Sequence, residues 1–160
     1  MMNIEYRPIG TIRSPFKHTN DMPIQPSGAR GVRGTVEIES EFVPGLRDLE
    51  GFSDIILIYH FHLSKGYSLE VKPFLDDITH GVFSTRAPKR PNPIGISMVK
   101  LIRIEGHILQ IEDVDIVDGT PILDIKPYVP EFDVRKVERI GWLSKMTNKS
   151  HEVRSDERFK

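Results

Sequence analysis

Two stretches of the chain concentrate side chains able to hold or transform a ligand. The first is Thr85-Arg86-Ala87-Pro88-Lys89-Arg90-Pro91-Asn92-Pro93-Ile94-Gly95, which sets three cations, three prolines and an Asn ahead of a terminal Gly. Each Pro fixes its own φ and drives the preceding residue toward extended conformations, so the run is a stiff polar loop with backbone groups free to face a ligand. Arg86 and Arg90 suit bidentate contacts with a carboxylate or phosphate, whereas Lys89 would act as a point charge. The plainer alternative is a rigid basic turn.

The second stretch runs from Asp115 through Asp118-Gly119-Thr120-Pro121-Ile122-Leu123-Asp124-Ile125-Lys126-Pro127-Tyr128. Asp118-Gly119 signals a turn, and the two-residue strand period puts Asp124 and Lys126 on one face. That pair can simply brace a surface. With the hydroxyls of Thr120 and Tyr128, the acidic run can also accept from sugar hydroxyls or amines, or hold calcium or magnesium, although the EF-hand spacing is missing. His60-Phe61-His62 ends the most apolar strand candidate with both imidazoles on one face. Such a pair would bind zinc or iron if carboxylates or another His converged on it; otherwise it is packed, hydrogen-bonded or in contact with substrate.

The elements that must position these residues read as β-structure. Twelve Pro and twelve Gly are spread along 160 residues, which favours many short elements joined by turns. Strand candidates are Tyr6–Ile12, Gly34–Ile38, Ile55–His62, Gly81–Thr85, Ile96–Ile104, His107–Ile111 and Ile122–Lys126. Seven short strands imply an all-β, single small barrel. Glu105-Gly106 predicts a hairpin between the fifth and sixth. Pro15–Gly34 reads as a long loop, Pro44–Leu49 as one helical turn, and Ile140, Leu143 and Met146 or Thr147 as a short C-terminal helix. The barrel domain is expected over residues 1–137, followed by a short helix and polar tail over 138–160.

Composition narrows the function classes. The absence of Cys removes disulfide frameworks, Cys-ligated zinc, iron–sulfur clusters and thiol nucleophiles, and fits a reducing cytoplasm. No run approaches the length of a membrane span, and the N-terminus lacks a signal pattern, so an unanchored cytoplasmic protein is expected. No Rossmann glycine fingerprint, Walker lysine or Gly-x-Ser-x-Gly elbow is present. The net charge of −1 argues against an all-over basic nucleic-acid binder. It conceals segregation, however: residues 84–111 carry +4, 112–133 carry −6 and 134–160 carry +4.

The two chemical stretches, together with Ile9-Gly10-Thr11-Ile12-Arg13-Ser14-Pro15-Phe16, Gln25-Pro26 and Gly45-Leu46-x-Asp48-Leu49-x-Gly51-Phe52-Ser53, resemble the TsaA-like family, also called TrmO. The resemblance runs in order from about residue 6 to about 133. It implies a single-domain β-barrel methyltransferase that uses S-adenosyl-L-methionine and works as a homodimer with the cofactor near the subunit interface. The implied partner is tRNA, methylated on N6 of the threonylcarbamoyladenosine just 3′ of the anticodon. Carried over motif by motif, Gln25, Phe83, Arg86, Arg90, Asn92, Pro93, Ile94 and Gly95 look like cofactor-pocket residues. Asp118, Gly119, Thr120, Pro121, Asp124, Lys126 and Tyr128 look like the opposite wall, with Asp118, Asp124, Lys126 and Tyr128 as candidate catalytic residues; no metal is implied.

Transfer from a sulfonium is an in-line displacement, so positioning dominates, and the weakly basic N6 must also lose a proton. Asp118, Asp124, a His or the substrate's own carboxylate are the acceptors considered. Tyr128, Phe83 or His60 would stack on bases, and Arg30–Arg33 and the tail would meet phosphates. The competing readings are a non-catalytic RNA-binding barrel, a metal-dependent hydrolase built on His60, His62 and the Asp115–Asp124 cluster, and a related methyltransferase with another acceptor.

Overall fold

A computed structural model describes residues 1–23, 26–74 and 76–145. Eight strands are present among the described residues: β1 (Gly10–Arg13), β2 (Arg33–Ile38), β3 (Asp54–His60), β4 (Glu70–Val71), β5 (His80–Gly81), β6 (Ile94–Glu105), β7 (Ile108–Glu112) and β8 (Thr120–Pro127). Six of them close an antiparallel barrel in the order β1–β2–β7–β6–β3–β8, and β4 and β5 form a separate two-stranded ribbon.

Strand β6 shows why the chain folds this way. Gly95, Ser97, Val99 and Leu101 alternate inward and are buried, while Ile94, Ile96, Met98 and Lys100 alternate outward and are exposed. The other strands supply Ile12, Val36, Ile55, Leu57, Leu109, Ile111 and Ile122 to the interior, all fully buried. Burying an aliphatic side chain of this size is worth about 1.5–3 kcal/mol, and β-branched residues suit the pleated surface.

The architecture agrees with the all-β barrel expectation, with six barrel strands instead of seven. Tyr6 is exposed and the first strand begins only at Gly10. Gly81–Thr85 is not a barrel strand: Gly81 ends β5, and Val82–Ser84 coils into a 3-10 turn in which the Thr85 hydroxyl donates to the Val82 carbonyl at 2.8 Å. A side chain that bonds its own backbone this way competes with strand pairing. The β6–β7 hairpin pairs Glu105 with Ile108, so its two-residue loop is Gly106-His107, one position later than expected. Gly106 takes φ +62° there, as the first central residue of a type II′ turn requires.

The Pro15–Gly34 stretch connects β1 and β2 and contains 3-10 turns at Thr19–Asp21 and Pro26–Ala29. Pro44–Leu49 bridges two further 3-10 turns, Ser40–Leu46 and Leu49–Gly51, with Arg47 and Asp48 between them. One short helix, α1 (Pro130–Asp133), follows β8. Of the expected C-terminal helix, residues from Met146 onward lie outside the described residues, as does the tail. The part before it is strapped to the ribbon: Trp142 stacks on His80 at 4.6 Å and donates to the Ser84 carbonyl at 2.8 Å, and His80 Nε2 lies 2.7 Å from Asp76 Oδ2.

Antiparallel order sends the connections 14–32, 61–93 and 113–119 to one end of the barrel, here called the mouth. Val114 and Ile116 of the last connection are buried and plug that end. Connections 39–53 and 106–107 and helix α1 lie at the far end. No described helix is long and apolar enough to cross a membrane.

Candidate active site at the mouth of the barrel

The stiff loop expected over 85–95 is held by its own residues. Arg90 donates through Nη1 to the carbonyls of Thr85 (2.9 Å) and Ala87 (3.1 Å), and its amide bonds the Pro88 carbonyl at 2.9 Å. Its guanidinium therefore braces the loop. Arg86 is exposed and makes no hydrogen bond or ion pair among the described residues, which leaves its donors for a ligand. Phe83 is 76% exposed, and Asn92, in the loop's second half, is exposed as well. Pro93 accepts from the Phe61 amide at 2.7 Å, which ties the loop's end to the chain leaving β3.

Gly95 follows and leads into β6. A Cβ at this position would lie 2.4 Å from Tyr59 Cε2 and 2.7 Å from Phe61 Cζ, so only glycine lets the two rings pack across the strand. The rings meet edge to face, with centroids 5.5 Å apart. Tyr59 OH lies 2.9 Å from Ser97 Oγ, and Ser97 Oγ donates to Asp115 Oδ1 at 2.6 Å. Burial pushes the Tyr59 hydroxyl up to about 12, which keeps it neutral. Burial also raises Asp115 above the ordinary carboxylate range, partly opposed by the Ser97 hydrogen bond and the Arg86 charge. Sequence reasoning did not single out Tyr59 or Ser97, and took Asp115 only as the start of the acidic stretch and a member of a candidate metal cluster. The available signal was Ser97, a polar residue at an inward position between Gly95 and Val99.

The Asp118-Gly119 turn sits at the same end. Asp118 accepts from the Ser14 amide at 3.0 Å and from Lys17 Nζ at 2.9 Å, with Arg13 at 4.0 Å. The Lys17 hydrogen bond is the main cause holding its carboxyl below the usual range. Gly119 takes φ +83°, and buried Thr120 donates to the Val117 carbonyl at 2.6 Å. Pro121 stands opposite Thr11 of β1. Next to this turn, Arg13, Ser14, Lys17, Arg33, Thr35 and Asp118 line an open groove of about 520 Å³. Its arginines already face carboxylates, Arg13 with Glu37 at 3.7 Å and Arg33 with Glu112 at 3.6 Å.

The remaining expected residues separate from this cluster. Asp124 and Lys126 pair with each other at 2.8 Å, and the carboxylate raises the lysine above its ordinary range. From Thr120 to Lys126 an extended strand advances roughly 20 Å, and Tyr128 lies beyond, with its amide bonded to Asp54 at the far end. One chain therefore brings together Phe83, Arg86, Arg90, Asn92, Pro93, Ile94, Gly95, Asp118, Gly119, Thr120 and Pro121 at the mouth end, and leaves Lys126 and Tyr128 away from them. Gln25 lies outside the described residues. Strand β3 ends at His60, so the strand period does not extend to His62. Burial, and then the His60 charge, hold His62 below its usual range. Among the described residues no three His, Asp or Glu side chains converge as a metal site.

Comparison with known proteins places this geometry. Residues 11–134 match the tRNA-methyltransferase O N-terminal domain. A protein of Pyrococcus abyssi named as a probable S-adenosyl-L-methionine-binding protein is 61% identical over 96% of this chain and 84% of its own length. The Escherichia coli tRNA (adenine(37)-N6)-methyltransferase is 36% identical over 81% of the chain and 60% of its own length. The crystal structure of TrmO from Pseudomonas aeruginosa superposes with a TM-score of 0.74 and 42% identity, covering 88% of this chain and 62% of that one. The chain thus spans about three fifths of the bacterial methyltransferase and of the solved structure.

Proposed function

The chain belongs to the tRNA-methyltransferase O family, and from that premise we propose that it binds S-adenosyl-L-methionine at the barrel mouth and methylates N6 of threonylcarbamoyladenosine beside the anticodon of tRNA. The observation that carries this reading is the convergence of the Thr85–Gly95 loop and the Asp118–Gly119 turn at one barrel end. Gly95 pairs with Tyr59, and Tyr59 with Ile122. Two strand spacings, about 10 Å, then separate the loop's end from the start of β8.

The residues at the mouth fit the cofactor. The exposed Phe83 ring offers a stacking face for a purine, and the open Arg86 guanidinium offers a fork for an amino-acid carboxylate. The cofactor supplies an activated methyl group. The chain's part is to hold methyl carbon and nucleophile near 3–3.5 Å and in line. Arg90 keeps the loop in shape for this, and Asp118 pins the β1–β2 connection against the β8 turn. The anticodon loop suits such a site because its bases splay readily. Phosphates are met by Arg30 and Arg33 and by the basic C-terminal segment, which makes binding salt-sensitive.

Two copies are proposed to pair through the outer face of β6, where Ile94, Ile96, Met98 and Ile102 are 37–46% exposed along one strand. The protein would act in the cytoplasm, where its substrate is modified.

Calorimetric titration with S-adenosyl-L-methionine, followed by incubation with tRNA carrying or lacking threonylcarbamoyladenosine, tests the proposal. Cofactor binding with methylation only of the modified tRNA is the expected result. Salt-sensitive RNA binding without cofactor binding would replace it with a non-catalytic RNA-binding barrel. Methylation of another acceptor alone would keep the chemistry and overturn the substrate.

A further inference from the structure

We propose that Asp115 is the catalytic residue that takes the proton from the acceptor nitrogen during methyl transfer, its carboxylate held in place by Ser97 and, through Ser97, by Tyr59. This assignment rests on the methyltransferase reading above and goes beyond it by naming the proton's destination.

The geometry begins with position. Asp115 lies in the 113–119 connection between Val114 and Ile116, whose buried side chains fix this part of the backbone at the mouth. The Asp115 side chain remains partly exposed there. One carboxylate oxygen, Oδ1, takes the Ser97 hydroxyl at 2.6 Å, and Ser97 is in turn 2.9 Å from Tyr59 OH. Oδ2 makes no side-chain hydrogen bond among the described residues, so a lone pair remains for a proton.

Three other carboxylates on or beside the 113–119 connection are committed. Asp118 is bonded to Lys17 and the Ser14 amide, Glu112 faces Arg33, and Asp113 accepts from the Gly31 amide at 2.8 Å. A carboxylate bonded to a cation holds an extra proton poorly, whereas Asp115, bonded to the Ser97 hydroxyl and its own backbone amide in a partly desolvated place, holds it better. The charged or titratable groups that influence Asp115 are Tyr59 from β3 and Arg86 from the loop before β6. Arg86, exposed and free to move to a ligand carboxylate, is the only cation of the two.

The step balances without a further reactant. The nitrogen lone pair forms the bond to the methyl carbon while the carbon–sulfur bond breaks and leaves its electron pair on sulfur. The N–H proton passes to Asp115 Oδ2, and solvent takes it up after product leaves.

The test uses the full-length protein with modified tRNA. Asp115→Asn should bind cofactor within about threefold of wild type while its single-turnover methylation rate falls about a hundredfold or more. In wild type the rate should rise with pH as the carboxylate deprotonates, and this limb should be absent from Asp115→Asn. Ser97→Ala removes a hydrogen bond to the charged form, so it should move the limb to higher pH. Carboxyl-carbon NMR of the cofactor-free protein supplies a readout apart from turnover: the Asp115 signal should titrate above ordinary aspartates, and higher still in Ser97→Ala. If Asp115→Asn does not fold, Ser97→Ala and Asp115→Glu carry the same test. A wild-type rate and an unchanged pH profile in a cofactor-binding Asp115 variant overturn the assignment. A wild-type protein that neither binds cofactor nor methylates overturns the methyltransferase reading, and Asp115's role with it.

Discussion

The two ends of strand β8 derive from one continuous run of sequence and do different work. At the mouth, Asp118, Gly119 and Thr120 face a ring of loops that spend hydrogen bonds on shaping a cavity. At the far end, Asp124 and Lys126 neutralise each other on the outer surface, and Tyr128 leads into helix α1. The glycines differ in the same way. Gly10, at the start of β1, would place a Cβ 2.2 Å from the Glu37 carbonyl oxygen, which is backbone in a ladder. Gly95, at the mouth, would place it against two aromatic side chains. At Gly10 backbone meets backbone and cannot turn aside, whereas at Gly95 the neighbours are side chains that can be repositioned.

The strongest way to break that contrast is to fill both glycines. Gly10→Ala should cost on the order of 3 kcal/mol, at the upper end for overpacking, because a ladder carbonyl cannot turn aside. For a chain of this size that is a fall in Tm of roughly 6–12 °C. Gly95→Ala should cost less, about 1–2 kcal/mol, since the Tyr59 and Phe61 rings can rotate. Its cofactor affinity should fall further than its stability, because the Tyr59–Ser97 contact moves with the ring. Thermal melts and calorimetry on both variants check this; equal stability losses would remove the distinction between the two positions.

Within the mouth, Arg86 and Arg90 sharpen the comparison between binding a ligand and shaping the loop that binds it. Both alanine variants should lose at least tenfold in cofactor affinity, about 1.4 kcal/mol. Arg90→Ala should also speed amide exchange across 85–90, where it now holds two carbonyls, whereas Arg86→Ala should leave exchange unchanged.

This difference also explains what was legible in the sequence. Short Ile- and Val-rich runs bounded by Gly, Pro or Asp announced the barrel, since those signals are local. The proline run announced a stiff loop for the same reason. Nothing local announced that Arg90 points back into its own loop while Arg86 points out. The resemblance sets Asp118 to Tyr128 on one wall; within one chain the strand from Thr120 to Lys126 spans roughly 20 Å, a reach that spacing in sequence does not display. The Tyr59–Ser97–Asp115 file was hidden because its members come from three different elements, and only the barrel's closure brings them together. Gly81–Thr85 misled because a β-branched, aromatic composition was overridden by the Thr85 hydroxyl bonding its own turn.

A smaller effect separates the carboxylates on the two ends. Asp118 has its folded-state pKa lowered, chiefly by Lys17, so its contribution to stability is present above the unfolded value near 3.8 and lost as pH falls through the folded one. Asp118→Asn keeps an amide oxygen for the Ser14 N–H but loses the charge pairing with Lys17, so it should destabilise by less than about 1 kcal/mol at neutral pH. The gap between wild type and variant should stay constant down to about pH 5 and close in acid. Denaturation curves from pH 2 to 7 measure it; a gap that widens on acidification would contradict the ion pair.

The smallest effect belongs to Lys126, and it tests whether the far end is truly separate from the mouth. Its pKa is raised by Asp124, so whatever stability the pair contributes is intact below the unfolded value of 10.5 and lost as pH rises through the folded one. Exposed pairs of this kind contribute little and are screened by salt, so Lys126→Ala should melt indistinguishably from wild type at neutral pH. Because one chain holds Lys126 roughly 20 Å from Thr120, its cofactor affinity should also be unchanged. A large loss of methylation in Lys126→Ala would mean that the far end of one copy reaches the mouth of another. Mixing Lys126→Ala with Asp115→Asn would then restore activity, because some mixed pairs would assemble one site with both residues intact. No restoration on mixing, together with wild-type activity of Lys126→Ala alone, would keep the two ends of β8 functionally apart.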